Sequence, residues 1–268
     1  MANSMETSKV ELKHELLNAL KNRELILYYQ PQFNLTTTKF EGVEALIRWQ
    51  HPQRGLLLPA EFIDAALEDE ELIIPITQWV LQEACKQNKT WQKKGLPPMR
   101  MAVNITEKDI KHSDFVESVI KVLRETDLKP EFLEIELTEN ILIQDENIIH
   151  HIHQLKNLGV IIALDDFGTG YSSISYLKKI PIDRIKIAKM YIDNIHSNSD
   201  DAAIVRAIIS LAEGLNIQVV AEGVESLKQL QLLTSNKSLE IQGFYFSEPL
   251  LPNELEKFFV LYKKKQNI

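Results

Sequence analysis

Eight short apolar segments, alternating with stretches of helical spacing, most tightly limit what this chain can fold into. They cover residues 25–33, 43–49, 100–106, 132–139, 160–167, 184–188, 218–224 and 240–246. Between or after them, residues 75–94, 115–124, 146–158, 200–215 and 254–264 carry apolar side chains at helical intervals. In the first of these, Ile76, Val80, Leu81 and Cys85 share a stripe. Strands alternating with helices build βα units around a mostly parallel sheet. Eight strands in 268 residues fit a TIM-like (β/α)8 barrel, which uses about 250 residues as one domain; a doubly wound open sheet is the competing arrangement.

The first two strands break the pattern. Only residues 34–42 join them, shorter than the roughly twelve residues of a parallel crossover and normal for a hairpin. The expectation is therefore an α/β barrel with one antiparallel strand near the N-terminus. Residues 1–22 form a lead segment whose helix, about 10–20, plugs or covers one barrel end, and residues 23–268 form the barrel. No Gly/Ser-rich or Pro-rich linker divides the chain, which has 9 glycines in all.

Polar residues recur where these strands end. Asn104, Glu136 and then Glu139, Asp165-Asp166, Lys186, Glu222 and Gln242 each lie at or near the C-terminal end of an apolar run. Glu44 comes early in the second strand, as expected if that strand runs the opposite way and starts at the same rim. In a barrel that rim is the face where chemistry is done. The five carboxylates of Glu44, Glu136, Asp165, Asp166 and Glu222 converging there repel one another, and burial raises the cost. Hard oxygen ligands without thiolates favour Mg²⁺, Mn²⁺ or Ca²⁺, and adjacent Asp165-Asp166 suits a bridging carboxylate beside a terminal one in a two-metal site.

Composition narrows the partners. The chain carries 30 Lys+Arg against 38 Asp+Glu, a net charge of −8, which argues against a basic DNA- or RNA-coating face. Five of the 38 acids stand at the proposed ligand positions, so the acidity does not exclude a small anion held through metals. A single cysteine, Cys85, permits neither an intrachain disulfide nor a thiolate zinc finger. No signal-peptide pattern or bilayer-length apolar run is visible, so the expected setting is cytoplasmic with no membrane partner. His150, His151 and His153 read as a solvated helix face. Asp166-Phe167-Gly168 lacks the other kinase elements.

The ordered set of motifs resembles the EAL domain, the cyclic di-GMP phosphodiesterase family. The matching residues are Tyr29-Gln30-Pro31, Glu44-Ala45-Leu46-Ile47-Arg48-Trp49, Val103-Asn104-Ile105-Thr106, Glu136-Leu137-Thr138-Glu139, Asp165-Asp166-Phe167-Gly168-Thr169-Gly170-Tyr171-Ser172-Ser173, Pro181-Ile182-Asp183 with Lys186, Ala221-Glu222-Gly223-Val224-Glu225 and Gln242-Gly243. The resemblance implies a barrel with one antiparallel strand and two divalent cations, Mg or Mn, that activate water to open cyclic di-GMP to linear pGpG. By position, Glu44, Asn104, Glu136 and Asp165 resemble ligands of one metal, and Asp165, Asp166 and Glu222 those of the other. Lys186 would hold the attacking water. Gln30, Leu46, Arg48 and Gln242 resemble substrate contacts, and Glu139 would tie down the Asp-Asp-Phe-Gly-Thr-Gly loop. That loop, with the helix expected from about Ser172, is a candidate regulatory joint. The helix at 200–215 is a candidate homodimer surface, and a regulatory protein or fused sensor domain would lie outside this chain.

Three positions depart from the family pattern. Ala188 replaces the usual aspartate after Lys186-Ile187, which would lower turnover or leave a cyclic di-GMP receptor that signals through a protein partner. Thr106 stands for Ser with its hydroxyl kept. Residues 62–72 align poorly and have no glycine, for which a local helix change is expected.

Overall fold

A computed structural model describes residues 2–142, 145–170, 177, 179–234 and 239–266. The helix expected from about Ser172 lies outside the described residues. The eight strand segments appear as β1 (Leu25–Asn34), β2 (Lys39–His51), β4 (Arg100–Ile105), β5 (Leu133–Thr138), β6 (Ile161–Phe167), β7 (Arg184–Ile187), β8 (Gln218–Ala221) and β9 (Leu239–Gln242). A short strand unforeseen in the sequence, β3 (Gly55–Leu57), pairs with the far end of β2. The order β1-β9-β8-β7-β6-β5-β4-β2, closed by β1–β2 pairing, is an eight-stranded barrel. A closed ring leaves no sheet edge to protect.

One detail of the expected topology is corrected. β2 is not the reversed strand: it pairs parallel with β4, while β1 is antiparallel to both β2 and β9. Glu44 nevertheless reaches the C-terminal rim, because β2 continues past the barrel. Its pairing with β4 stops at Ala45–Val103, and the remainder runs on against the start of β1 and against β3.

Among the described residues the α-helices are α1 (Ala2–Asn22), α2 (Ile63–Leu67), α3 (Glu70–Lys93), α4 (Glu107–Lys111), α5 (Phe115–Thr126), α6 (Glu146–Leu158), α7 (Lys189–Asp193), α8 (Ser199–Gly214), α9 (Leu227–Leu233) and α10 (Pro252–Gln266). Residues 62–72 form α2, a break at Glu68-Asp69, and the start of α3. The Asp69 side chain accepts from the Glu71 N–H at 3.1 Å, an N-cap that starts α3 five residues before Pro75. α1 packs against α2 and α3, with Leu16 and Ala19 buried and Glu15 paired to Arg54 in the β2–β3 turn.

Period-two alternation sorts the strand residues. Outward-facing Met101, Val103, Leu133, Ile135, Leu137, Ile185, Ile187, Val219, Ala221, Leu239 and Ile241 are all buried in one apolar core. Inward-facing polar residues form two layers, with Ala102, Ala163 and Val220 also on the inner face, where such barrels usually stack branched aliphatics. The lower layer holds Arg100, Glu134, Arg184, Glu240 and Gln32, closed by ion pairs: Arg184 Nη2–Glu240 Oε2 2.6 Å, Arg100 Nη2–Glu240 Oε2 2.6 Å and Arg100 Nε–Glu134 Oε2 3.1 Å. The upper layer is the rim.

Candidate active site

Lys186 is the hub of the rim. Its Nζ lies 2.7 Å from Glu136 Oε2, 2.8 Å from Glu222 Oε1, 3.3 Å from Asp165 Oδ1 and 3.4 Å from Glu44 Oε2. The side chain is wholly shut off from solvent. Burial alone would lower its pKa, but Asp165, Glu136, Glu222 and Glu44 together hold it well above the ordinary lysine value. The ammonium is therefore charged, and one positive charge faces four carboxylates.

The acids respond unequally. Burial pushes Glu136 well above the ordinary carboxylate value, and Glu44 adds to the rise, with Lys186 opposing. Burial also raises Glu222, to about 8, against the pull of Lys186. Burial, then Asp165, raises Asp166. Glu44 goes the other way. Burial acts to raise it, but Lys186 and the amides of Gln242 and Asn104 outweigh that and bring it below the ordinary value. Asn104 Nδ2 donates to Glu44 Oε1 at 2.7 Å, and Gln242 Nε2 donates to Oε2 at 2.5 Å.

Two adjacent acids can serve one site only if the strand is bent. Successive residues of a regular strand face opposite sides. Between Leu164 and Phe167 the β6–β7 register shifts, and Asp166 takes a left-handed φ of 51°, so both acids reach the mouth. Ligand atoms of Asp165, Asp166 and Glu222 then lie within 4.8 Å of one another. Beside them Glu139, which is buried, accepts at Oε2 from the N–H of Gly168 (2.9 Å) and of Gly170 (3.0 Å). The Tyr191 hydroxyl donates to the Gly168 carbonyl at 2.5 Å.

Gln30 joins the same cluster from β1. Its Nε2 donates to the Ser247 carbonyl (3.1 Å), and its Oε1 accepts from Gln242 (3.0 Å). Leu46 and Arg48 follow Glu44 on the same face of β2, climbing away from the barrel. Arg48 is half-buried, with its guanidinium 5.7 Å from the centre of the Tyr28 ring. Two pockets flank this wall. One, of about 250 Å³, is lined by Gln30, Glu44, Glu222, Gln242, Lys189 and Phe244, among others. The other, of about 280 Å³, is lined by Leu46, Asn104, Ile73 and Ile76, among others.

The sequence reading did not single out Phe244 and Lys189. Phe244 is 54% exposed at the pocket wall, and an aromatic directly after Gln242-Gly243 was the available signal. Lys189 Nζ is 2.5 Å from Glu225 Oε1. The strands expected to reach residues 224 and 246 end at Ala221 and Gln242. Gly223, with φ +70°, turns the chain, and Gly243 lies so close to the Val224 backbone that a Cβ would collide with it.

The EAL domain profile matches residues 13–249. The chain belongs to the EAL domain family. It is 41% identical over 255 residues to the bifunctional diguanylate cyclase/cyclic di-GMP phosphodiesterase MucR of Pseudomonas aeruginosa, covering 95% of this chain and 37% of that protein. It is 39% identical to the cyclic di-GMP phosphodiesterase PdeR of Escherichia coli, covering 95% and 38%. The chain thus spans a little over a third of the length of these relatives. The solved structure of the PaMucR phosphodiesterase in complex with c-di-GMP superposes with a TM-score of 0.88 at 41% identity, covering 91% of this chain and 99% of that one. No described helix of this EAL domain is long and apolar enough to cross a membrane.

Proposed function

We propose that this EAL domain, residues 23–268 behind the lead helix, is a metal-dependent phosphodiesterase that hydrolyses cyclic di-GMP to linear pGpG. The observation that carries this reading is the Lys186 ammonium set among Glu44, Glu136, Asp165 and Glu222 at the barrel mouth. One cation leaves this set short of positive charge, and Glu136 Oε1 is buried with no hydrogen-bond partner. An all-oxygen donor set of this kind fits Mg²⁺ or Mn²⁺. Glu44, Asn104, Glu136 and Asp165 would hold one cation, and Asp165, Asp166 and Glu222 the other.

When bound, such cations screen a phosphodiester's charge and lower the pKa of a ligated water. The protein's own groups do the rest. Lys186 donates from Nζ to the attacking oxygen and steadies it between the carboxylates. Asn104 and Gln242 fix the Glu44 carboxylate. The Arg48 guanidinium offers a fork to a phosphate, and Phe244 offers a ring face to a purine. The pockets on either side of the Glu44–Asn104 wall suit the two halves of a cyclic dinucleotide. Glu139 fixes the loop that follows Asp166.

The test is turnover. Purified protein with Mg²⁺ or Mn²⁺ should convert cyclic di-GMP to pGpG, resolved by liquid chromatography, and EDTA should stop it. Absence of product with either metal at high enzyme concentration, with nucleotide still bound in calorimetry, would replace this reading by that of a receptor.

A further inference from the structure

Gln32 is fully buried on β1, one layer below the rim. Its Nε2 donates to Gln242 Oε1 at 2.9 Å. A side-chain amide has one accepting and one donating end, so this bond favours the same orientation of Gln242 that the acceptor-only Glu44 carboxylate requires. With Oε1 engaged by Gln32, the Gln242 amino group points to Glu44 Oε2 (2.5 Å) and Gln30 Oε1 (3.0 Å). A flipped amide would press an acceptor against the Glu44 carboxylate and a donor against Gln32 Nε2.

Gln32 Oε1 makes no hydrogen bond of its own, and packing alone sets its place. A Cβ on Gly42 would collide with Gln32 Oε1 and lie 3.0 Å from Arg100 Nη2. The amide oxygen thus occupies the space that Gly42 leaves open, on the side of the Arg100 guanidinium. Its nitrogen is left to face upward.

We propose that Gln32 is a positioning residue for the metal site: it fixes the Gln242 amide, which holds the Glu44 carboxylate in the orientation a cation requires. This inference rests on the reading of Glu44 as a metal ligand. Groups that orient a ligand typically change metal affinity by about 10- to 100-fold when removed.

The experiment compares wild type, Gln32→Leu, Gln242→Leu, the double variant and Gly42→Ala. Each is titrated with Mn²⁺ alone by calorimetry, assayed for cyclic di-GMP turnover and melted without metal. Gln32→Leu should weaken Mn²⁺ binding about tenfold, with a single cooperative melt retained. In the Gln242→Leu background the same change should have no further effect, because its route is already cut. Gly42→Ala should imitate Gln32→Leu, since its methyl displaces the Gln32 amide without touching the rim, and it carries the test if Gln32→Leu does not fold. Wild-type Mn²⁺ affinity in both Gln32→Leu and Gly42→Ala would overturn the inference, as would losses that multiply in the double variant. A wild-type protein that binds no Mn²⁺ would instead sink the metal reading, and the inference with it.

Discussion

Lys186 Nζ and Glu136 Oε2 meet at 2.7 Å inside the barrel mouth, with both side chains closed off from solvent. Such a pair is hard to break from one side, because the remaining charge has no water to turn to. Lys186→Met should abolish most turnover, by about 10² or more if the lysine serves the attacking water. In EDTA it should also lower folding stability by about 3–5 kcal/mol. Denaturant unfolding with and without Mg²⁺ checks this: the cation should recover part of the loss, since it supplies the positive charge that the variant lacks.

Glu139 offers a cleaner separation of activity from stability. Its Oε2 accepts two backbone N–H bonds from the loop after Asp166. Glu139→Ala should leave the barrel folded but the loop loosely placed. Turnover is expected to fall at least tenfold, because a displacement of about 1 Å near a reacting centre can cost 10². Comparison of kcat with the melting temperature checks the split, and unchanged kcat would mean that the loop holds its position without Glu139.

The lower layer predicts a pH effect on stability. Glu240 is buried beside Arg184 and Arg100. Burial acts to raise its pKa, but the two guanidiniums outweigh it and bring it below the ordinary value of 4.5. A depressed folded pKa contributes stability that is present above the unfolded pKa and is lost as pH falls through the folded one. Wild type should therefore lose stability on acidification from about pH 4.5 downward. Glu240→Gln should be less stable at pH 7 by about 3–5 kcal/mol, with a shallower acid limb. Urea unfolding from pH 3 to 7 measures both.

Ala188 is buried and caps the N-terminus of α7 with φ −54° and no side-chain hydrogen bond. Ala188→Asp supplies a capping carboxylate two residues from Lys186. Turnover should rise several-fold if the aspartate orients the lysine, and steady-state rates of the two proteins decide. Equal rates would show that the chemistry is indifferent to this position.

Much of this was legible in the residues, for identifiable reasons. Barrel strands buried under helices read as apolar runs, so all eight were visible, and a nine-residue connection exposed the hairpin. The direction of β2 was misassigned because its extension past the barrel leaves no mark in composition. The bend that aims Asp165 and Asp166 together is a local φ choice at a non-glycine residue, which no residue pattern announces. The lower layer was written in plain sight as polar pairs at i and i+2: Gln30 and Gln32, Glu134 and Glu136, Arg184 and Lys186, Glu240 and Gln242. Each pair puts one residue at the rim and its partner one layer down, and only the rim members carried a recognisable motif.

The reversal of β1 has a mechanical corollary. Among the described barrel strands, β1 alone enters at the mouth and descends to the floor. Its first residue, Leu25, stands five residues from Gln30 and seven from Gln32, and it follows α1 after only two residues. α1 is thus joined through one strand to Gln30 and Gln32, both of which bond the Gln242 amide that holds Glu44. The lead helix therefore stands at the mouth end of the barrel, joined to the one strand that runs down from it.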